Sequence, residues 1–235
     1  MSRSAAAVQR VIKAYDVRGL VGEEIDDAFV REVGASFARL MRDGEGSTQV
    51  VIGYDMRASS PVLAAAFAEG VMDQGLDVVR IGLASTDQLY FASGSLDCPG
   101  AMFTASHNPA AYNGIKLCRA GAKPVGKDTG LTTISDEVIA GVPGYDGTRG
   151  TLSDRDVLVD YGQFLRSLVD VGSLRPLNVA VDAGNGMAGH TTPAVLGPIP
   201  SMTVFPLYFE LDGTFPNHEA NPLEPANLVD LQEYV

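Results

Sequence analysis

The first half of the chain alternates between helical and strand-like spacing of apolar residues. A helix is predicted after Asp26, where apolar positions recur on one face. These positions are Phe29, Val30, Val33, Phe37, Leu40 and Met41. Strands are predicted at 50–52, 77–81, 101–103 and 115–118, where apolar and β-branched residues run together. This alternation of helices and strands indicates an α/β fold.

A further helix is predicted between the first two strands. Ser60 and Pro61 suit its N-cap and its first turn. Gly75 suits the stop after a helix that ends near Gln74, because glycine adopts the left-handed conformation that ends many helices. The resulting strand–helix–strand order supports the α/β interpretation.

A linker is predicted at 141–151, which holds four glycines and one proline among few apolar positions. The pattern beyond it predicts four elements: a helix at 157–169, strands at 177–181 and 203–209, and a helix at 227–234. We therefore expect two domains, at residues 1–145 and 146–235.

Composition narrows the class of partner. The 235 residues include 17 lysines and arginines against 29 aspartates and glutamates, which gives a formal net charge of −12. A general nucleic-acid binder needs a basic surface, so no nucleic-acid partner is expected. An anionic small molecule stays compatible with this charge, because a local cationic pocket can exist in an acidic protein.

The cysteines and the apolar runs bear on location. Cys98 and Cys118 form neither a disulfide framework nor a zinc-ligand pattern, so a reducing, cytoplasmic setting is expected. The apolar run at 5–8 is too short for a signal peptide, and no stretch reaches the length that spans a membrane. We expect no membrane partner, and the sequence leaves the oligomeric state open.

Residues 121–127 match the first seven positions of the phosphate-binding P-loop. The eighth position should be Ser or Thr, whose hydroxyl holds magnesium, but it is Asp128. A carboxylate at this point would face the nucleotide phosphates. A glycine-rich surface loop is therefore favoured over a nucleotide site.

Residues 184–189 form a complete GxGxxG after a predicted strand, with an acidic residue further on at a suitable distance for a dinucleotide ribose. No second half of a dinucleotide fold is visible in the sequence, and two local features also count against a dinucleotide site. Asp182 lies beside the turn that would hold the pyrophosphate, and Pro193 would disturb the helix that should begin there. A tight structural turn is the competing interpretation.

The segment with the most chemical content is TASHNP at 104–109, followed by NGIK at 113–116. Ser106 beside His107 is compatible with an ordinary polar turn, and the GxSxG elbow of serine hydrolases is absent. As a whole, the stretch resembles the active-site loop of the α-D-phosphohexomutases. That family's pattern is Thr/Ser-x-Ser-His-Asn-Pro, followed by Asn-Gly-x-Lys.

Three other segments carry the same resemblance. Residues 13–19 are similar to the family's Tyr-Asp-x-Arg-Gly signature, 53–57 to its Gly-x-Asp-x-Arg segment, and 182–186 to its second-domain Asp-x-x-Asn/His-Gly turn. The plain Tyr-Asp form is more like phosphomannomutase/phosphoglucomutase, with phosphoglucosamine mutase as an alternative. The resemblance implies mixed α/β domains of the phosphohexomutase type, one complete and a second nearly complete.

The resemblance implies a phosphoserine mechanism. Ser106 would donate its phosphoryl group to a hexose monophosphate and take back the other phosphate of a hexose 1,6-bisphosphate, which interconverts 1- and 6-phosphates of mannose or glucose. Because two unit charges ~4 Å apart interact by about 4 kcal/mol at an effective dielectric of ~20, cations must offset the repulsion between the phosphates. The candidate catalytic residues are Ser106, His107, Lys116 and Arg18. The candidate substrate-binding residues are Tyr15, Arg18 and Asn108.

The resemblance also implies Mg²⁺, a cation that prefers oxygen ligands, held by the phosphate on Ser106 and three aspartates of an Asp-Gly-Asp-x-Asp-Arg loop. That loop does not occur here, since Asp-Gly at 146–147 and at 212–213 is followed by threonine. We expect it beyond Val235, together with the sugar-reading and phosphate-binding loops. A non-catalytic phosphosugar-binding fragment is therefore the alternative function.

Overall fold

The computed structural model describes residues 4–235. The helices are α1 Ala5–Val11, α2 Asp27–Glu45, α3 Ser60–Asp73, α4 Thr86–Leu96, α5 Leu131–Ala140, α6 Leu158–Ser167, α7 Ala188–Val195 and α8 Val229–Tyr234. The strands are β1 Val17–Leu20, β2 Gln49–Tyr54, β3 Asp77–Leu83, β4 Gly100–Phe103, β5 Tyr112–Arg119, β6 Lys123–Pro124, β7 Leu152–Asp154, β8 Leu177–Asp182 and β9 Met202–Leu207. The predicted α/β fold is confirmed.

The first sheet brings the ends of two central strands together. Its order is β1-β5-β4-β2-β3-β7, and β6 pairs with β5. β2 runs parallel to β3 and β4, whereas β5 is antiparallel to β1 and β4. Tyr54 at the end of β2 lies in register with Phe103 at the end of β4. The polar segments that follow these two strands therefore begin side by side.

Helices cover both faces of this sheet. On one face α2 and α3 pack over a core that contains Phe37, Phe67 and Phe103. The Phe67 ring lies 5.9 Å from Phe37 and 5.5 Å from Phe103, in tilted and edge-on geometries that aromatic pairs favour. On the other face α4 packs over a smaller cluster around Leu89. This cluster includes Val157, the residue just before α6. The fold is an α/β/α sandwich.

The helix boundaries follow the predicted signals with one difference. Asp26 caps α2, since its carboxylate accepts a hydrogen bond from the Phe29 backbone N–H at 2.8 Å. Gly75 follows α3 with a φ of +83°, as a helix stop requires. The prediction that Ser60 is the N-cap of α3 is wrong. Ser59 holds that position, and the Ser60 hydroxyl donates to Asp55 instead.

The predicted linker at 141–151 contains neither helix nor strand. After it, β7 returns to the first sheet and pairs in parallel with β3. Gly150 permits this return, because a Cβ at this position would collide with the Leu76 carbonyl. The predicted border between residues 145 and 146 stays a prediction, and β7 lies beyond it.

The part of the chain up to β7 is called the first region, and the part after β7 is called the second region. The second region is built around the parallel pair β8–β9, with α6, α7 and α8. The expectation that Pro193 disturbs a helix here is wrong, because Pro193 lies inside α7. Proline removes one backbone donor, but the turn continues, since Leu196 N donates to Thr192 O at 2.8 Å. Within residues 4–235, none of the helices is long and apolar enough to cross a membrane.

We predict that Gly70→Ala destabilises the protein. A Cβ at Gly70 would collide with the Arg31 carbonyl where α3 crosses α2, and overpacking of this kind costs about 1–3 kcal/mol. The matched control is Gly94→Ala on the exposed side of α4, where a Cβ meets nothing within 4 Å. Urea unfolding should show a loss for the first variant and an equal or higher stability for the second. Equal effects of both variants would contradict this reading of the α2–α3 crossing.

Candidate active site

The loop that follows β4 presents Ser106 to solvent. Its backbone has a φ of +54°, a left-handed conformation that non-glycine residues adopt only when neighbours enforce it. The Thr104 hydroxyl contributes by accepting the Ser106 backbone N–H at 2.9 Å. The Ser106 Oγ lies 3.3 Å from Nδ1 of His107, so an imidazole is in reach of the hydroxyl proton. This geometry suits a nucleophilic or phosphoryl-carrying serine.

The guanidinium of Arg57 holds this loop by hydrogen bonds to four of its backbone carbonyls. One terminal nitrogen donates to the carbonyls of Pro109 at 2.8 Å and Tyr112 at 3.1 Å. The other donates to the carbonyls of Ser106 at 3.0 Å and Asn108 at 2.7 Å. Arg57 is only 1% exposed, so these bonds form away from competing water. The buried cation thus organises the whole turn that carries Ser106.

The charge of Arg57 is paired by the other member of its motif. Asp55 Oδ2 lies 3.3 Å from Arg57 Nε, and Asp55 Oδ1 accepts from the Arg57 backbone N–H at 3.1 Å and from Ser60 Oγ at 2.6 Å. Burial lowers the pKa of Arg57 below its ordinary value, and the Asp55 carboxylate acts against that shift. The Asp-x-Arg spacing after β2 therefore supplies the organising cation and its counterion together.

The Asn-Gly pair at the start of β5 joins this network. The Asn113 amide donates to Ser59 Oγ at 2.8 Å and Ser60 Oγ at 2.9 Å, which fastens β5 to the beginning of α3. Gly114 follows because a Cβ there would collide with the Val17 carbonyl on β1. Both residues of the pair are therefore required by packing around the Ser106 loop.

Two cations lie on neighbouring strands at the edge of the sheet. Arg18 on β1 pairs with Asp16, and Lys116 Nζ on β5 lies 3.8 Å from Asp16 Oδ2. Their side chains are 28% and 29% exposed, so both can meet a ligand from solvent. Both cations lie next to the carboxylate of Asp16, and the carboxylate of Glu24 also contacts β1 by accepting the Leu20 backbone N–H at 2.9 Å. Nearby in sequence, Tyr15 is 84% exposed.

The predicted site residues thus form two groups. Ser106, His107 and Asn108 lie in the Arg57-held loop, where Asn108 contributes its backbone carbonyl. Arg18 and Lys116 form the second group around Asp16. Among the described residues, no hydrogen bond or ion pair joins one group to the other. The roles of all these residues stay predictions.

A cleft of about 450 Å³ separates the Ser106 loop from the second region. From the first region it is lined by Asp55, Thr104 and Ser106 among others, and from the second by Asp182 and His218. The two regions touch beside it, where the Phe215 ring lies 5.1 Å from the Arg57 guanidinium carbon. A Cβ at Gly213 would lie 2.7 Å from Arg57 Cα, so glycine lets this segment approach the cation.

The turn after β8 does not offer a pyrophosphate site. The backbone N–H of Gly184 donates to Asp182 Oδ1, that of Asn185 to the Tyr208 carbonyl, and that of Gly186 to the Ala183 carbonyl. A dinucleotide phosphate needs such N–H groups to be available. The structure therefore supports a tight structural turn, in which Asn185 has a φ of +59°.

The P-loop-like segment is also accounted for by structure. Lys123 and Pro124 form β6, an edge strand that pairs with β5. Backbone that is paired in a sheet does not wrap a phosphate, so the middle of the segment belongs to the sheet edge.

The side chains present do not fit a magnesium site by themselves. Within the part of the chain that the structure describes, no three His, Cys, Asp or Glu side chains come together to hold a metal ion. Of the three carboxylate residues that line the cleft with Ser106, which are Asp55, Asp182 and Glu219, two are already engaged. Asp55 pairs with Arg57, and Asp182 pairs with His218. The sequence prediction of Ser106 as a ligand through its phosphate stays untested.

Sequence reasoning missed the roles of Arg57, Asn185 and His218. Arg57 and Asn185 lie within the recognised segments, but their partners are backbone carbonyls and loop residues far away in sequence. The one available signal was the position of Asp55-x-Arg57 directly after a buried strand, where a charged pair needs a partner.

Comparisons with known proteins agree with this architecture. Residues 9–141 match the family described as phosphoglucomutase/phosphomannomutase, alpha/beta/alpha domain I, and residues 160–235 match its alpha/beta/alpha domain II. A curated phosphomannomutase of Escherichia coli is 40% identical over 232 residues, which cover 95% of this chain and 50% of that protein. A protein named phosphohexose mutases from Xanthomonas campestris pv. campestris is 39% identical, with 92% of this chain and 47% of that protein covered.

A crystal structure of a phosphoglucomutase/phosphomannomutase family protein from Burkholderia thailandensis superposes with a TM-score of 0.84 at 30% identity, covering 95% of this chain and 49% of that one. The chain spans about half the length of the curated relatives it matches. Since the two family domains together account for most of its residues, the chain belongs to the phosphoglucomutase/phosphomannomutase family.

Proposed function

We propose that the chain acts in a phosphohexomutase, an isomerase that interconverts the 1- and 6-phosphates of mannose or glucose through phosphorylated Ser106. The observation that carries this proposal is the Ser106 loop. An exposed serine in left-handed backbone is held by four carbonyl contacts to one buried arginine, with His107 within 3.3 Å of its hydroxyl. The names of the relatives, phosphomannomutase and phosphohexose mutases, support the substrate class.

In the first step, the bond between phosphorus and Ser106 Oγ breaks while a bond to a sugar hydroxyl oxygen forms. The sugar hydroxyl loses its proton to a base, and Ser106 Oγ takes up a proton. The second step reverses these events with the other phosphate of the hexose 1,6-bisphosphate. The 3.3 Å separation between Ser106 Oγ and His107 Nδ1 supports His107 as the group that exchanges the Ser106 proton.

Arg18 and Lys116 are proposed to bind and neutralise substrate phosphate. Arginine can contact two phosphate oxygens with its planar fork, and lysine supplies a point charge or a base. Their partial exposure beside Asp16 supports this role. Tyr15 is proposed as a substrate contact because its ring is exposed. Asn108 is proposed as a second substrate contact, because its own backbone carbonyl is held by Arg57.

The phosphate on Ser106 is the one Mg²⁺ ligand that we propose on this chain. Bound there, the cation would neutralise phosphate charge. The cation has no part in the steps above, because two of the three carboxylates of the cleft pair with Arg57 and His218. A cytoplasmic location stays part of the proposal, in keeping with two buried free cysteines, Cys98 and Cys118.

We predict that Ser106 accepts one phosphate from a hexose 1,6-bisphosphate. Intact-mass measurement after incubation with glucose 1,6-bisphosphate should show a single added phosphate on the protein. Ser106→Ala should abolish it, whereas Ser173→Ala, which changes an exposed serine far along the chain, should not. Phosphate retained in Ser106→Ala would refute the mechanism. Binding of sugar phosphate without any phosphorylation would favour the non-catalytic phosphosugar-binding alternative.

We predict that Lys116→Met weakens binding of mannose 1-phosphate by about tenfold, because the loss of one charged hydrogen bond of ~1.5 kcal/mol corresponds to that factor. Calorimetric titration measures the change. Lys123→Met on the exposed strand β6 is the matched control and should leave the affinity unchanged. Equal losses in both variants would indicate a general charge effect and contradict a phosphate contact at Lys116.

We predict that Arg57→Met destabilises the protein by about 3–5 kcal/mol, because it leaves the Asp55 carboxylate buried without its counterion. The variant should also lower the rate of Ser106 phosphorylation, since four loop carbonyls lose their donor. Urea unfolding and intact-mass kinetics measure the two effects. Arg155→Met, at an exposed arginine, is the control and should change neither. Unchanged stability in Arg57→Met would show that the cation does not hold the loop.

A further inference from the structure

His218 is held between two hydrogen-bond acceptors at the wall of the cleft. Its Nε2 lies 3.1 Å from Asp182 Oδ2, and its Nδ1 lies 2.9 Å from the Glu219 carbonyl oxygen. A carbonyl oxygen accepts and never donates, and the same holds for an ionised carboxylate. Both ring nitrogens must therefore carry a hydrogen for both contacts to be hydrogen bonds. The geometry is that of an imidazolium.

The surroundings of the ring favour the charged form. The side chain is 17% exposed and packs against Gly184, where a Cβ would lie 3.0 Å from the ring. The Tyr208 ring meets it edge-on at 5.6 Å, and Asp230 on α8 adds a further negative charge. Burial alone would lower the pKa of His218, but the Glu219 carbonyl and the Asp182 carboxylate outweigh it and raise the pKa above its ordinary value.

The same segment reaches the Ser106 loop through Arg57. Phe215, three residues before His218, lies against the Arg57 guanidinium at 5.1 Å. Asn185 holds the segment at two other points, because its carbonyl accepts from Asp212 N at 3.0 Å and its side-chain oxygen accepts from Asn217 Nδ2 at 2.8 Å. His218 and Asn185 are therefore the fastenings that keep Phe215 on the organising cation.

We propose that His218 is a positioning residue whose imidazolium form fastens residues 212–218 to the turn at 182–186, so that Phe215 covers Arg57 and the Ser106 loop stays ordered. Deprotonation removes one of the two hydrogen bonds of the ring and the attraction to Asp182, and so loosens the segment. The importance of this contact for phosphoryl transfer rests on the proposed function, whereas the contact itself does not.

The direction of the pH dependence follows from the linkage. Because the pKa of His218 is raised in the folded protein, the fastening is complete below the unfolded-state pKa of about 6.5 and is lost as pH rises through the folded-state value. Loop order should therefore decrease on the alkaline side. The amides of Asn108 and Tyr112 are suitable probes, since they donate to the Ala105 and Pro109 carbonyls within the loop.

The experiment is amide hydrogen exchange by NMR between pH 6 and pH 8.5, corrected for intrinsic exchange, with a parallel titration of the His218 ring. In the unmodified protein, protection of Asn108 and Tyr112 should fall by about tenfold over this range, the factor that corresponds to the loss of one charged hydrogen bond. His218→Gln should show low protection that does not depend on pH. His190→Gln, which removes the half-buried histidine of α7, should behave like the unmodified protein.

A flat protection profile in the unmodified protein, or the same pH profile in His218→Gln, would overturn the proposal. Should His218→Gln fail to fold, the unmodified protein decides alone, by whether the loop amides lose protection at the pH where the His218 ring titrates while the amides of β2 do not. These readouts need no phosphorylation. Absence of phosphate on Ser106 with an intact exchange profile would therefore refute the proposed function and leave the fastening in place.

Discussion

A single buried guanidinium is the constraint on which the site depends. Arg57 donates to four carbonyls of the Ser106 loop, pairs with Asp55 and lies under Phe215. A buried carbonyl without a donor destabilises a fold by about 1–3 kcal/mol, so the loop could not take this shape over an apolar side chain. Lysine could not replace arginine, because its compact ammonium lacks the planar fork that reaches several carbonyls at once.

This arrangement separates two uses of positive charge in an acidic protein. The charge of Arg57 is buried and binds backbone carbonyls of the loop. The hydroxyl of Ser106, whose backbone is in the left-handed region, is not needed for these contacts. The charges of Arg18 and Lys116 stay partly exposed and share Asp16, which keeps them available to a phosphate. The overall charge of −12 therefore says little about the local field, because Arg18, Arg57 and Lys116 lie at or near the site.

Periodicity predicted most of the elements, and the motifs named the residues of both groups, whose roles stay predictions. α2 and the strand at 101–103 could be predicted because their apolar positions face one core. The three-residue strand β7 could not, since its side chains are exposed and it is too short to show a period-two apolar pattern. The contacts of Arg57 and His218 could not be predicted from the sequence for a related reason. Backbone carbonyls leave no residue-type signature, and Asp182 lies 36 positions from His218.

The return of β7 to the first sheet has a consequence for how the chain acquires its structure. During synthesis the outer edge of β3 stays unpaired until residue 154 has left the ribosome, and an unpaired edge invites association with other chains. Val157, which packs in the cluster under α4, is synthesised three residues after the end of β7. The glycine-rich segment at 141–151 thus connects two parts of one sheet, and a cut within it would leave two pieces that hydrogen-bond to each other through β3 and β7.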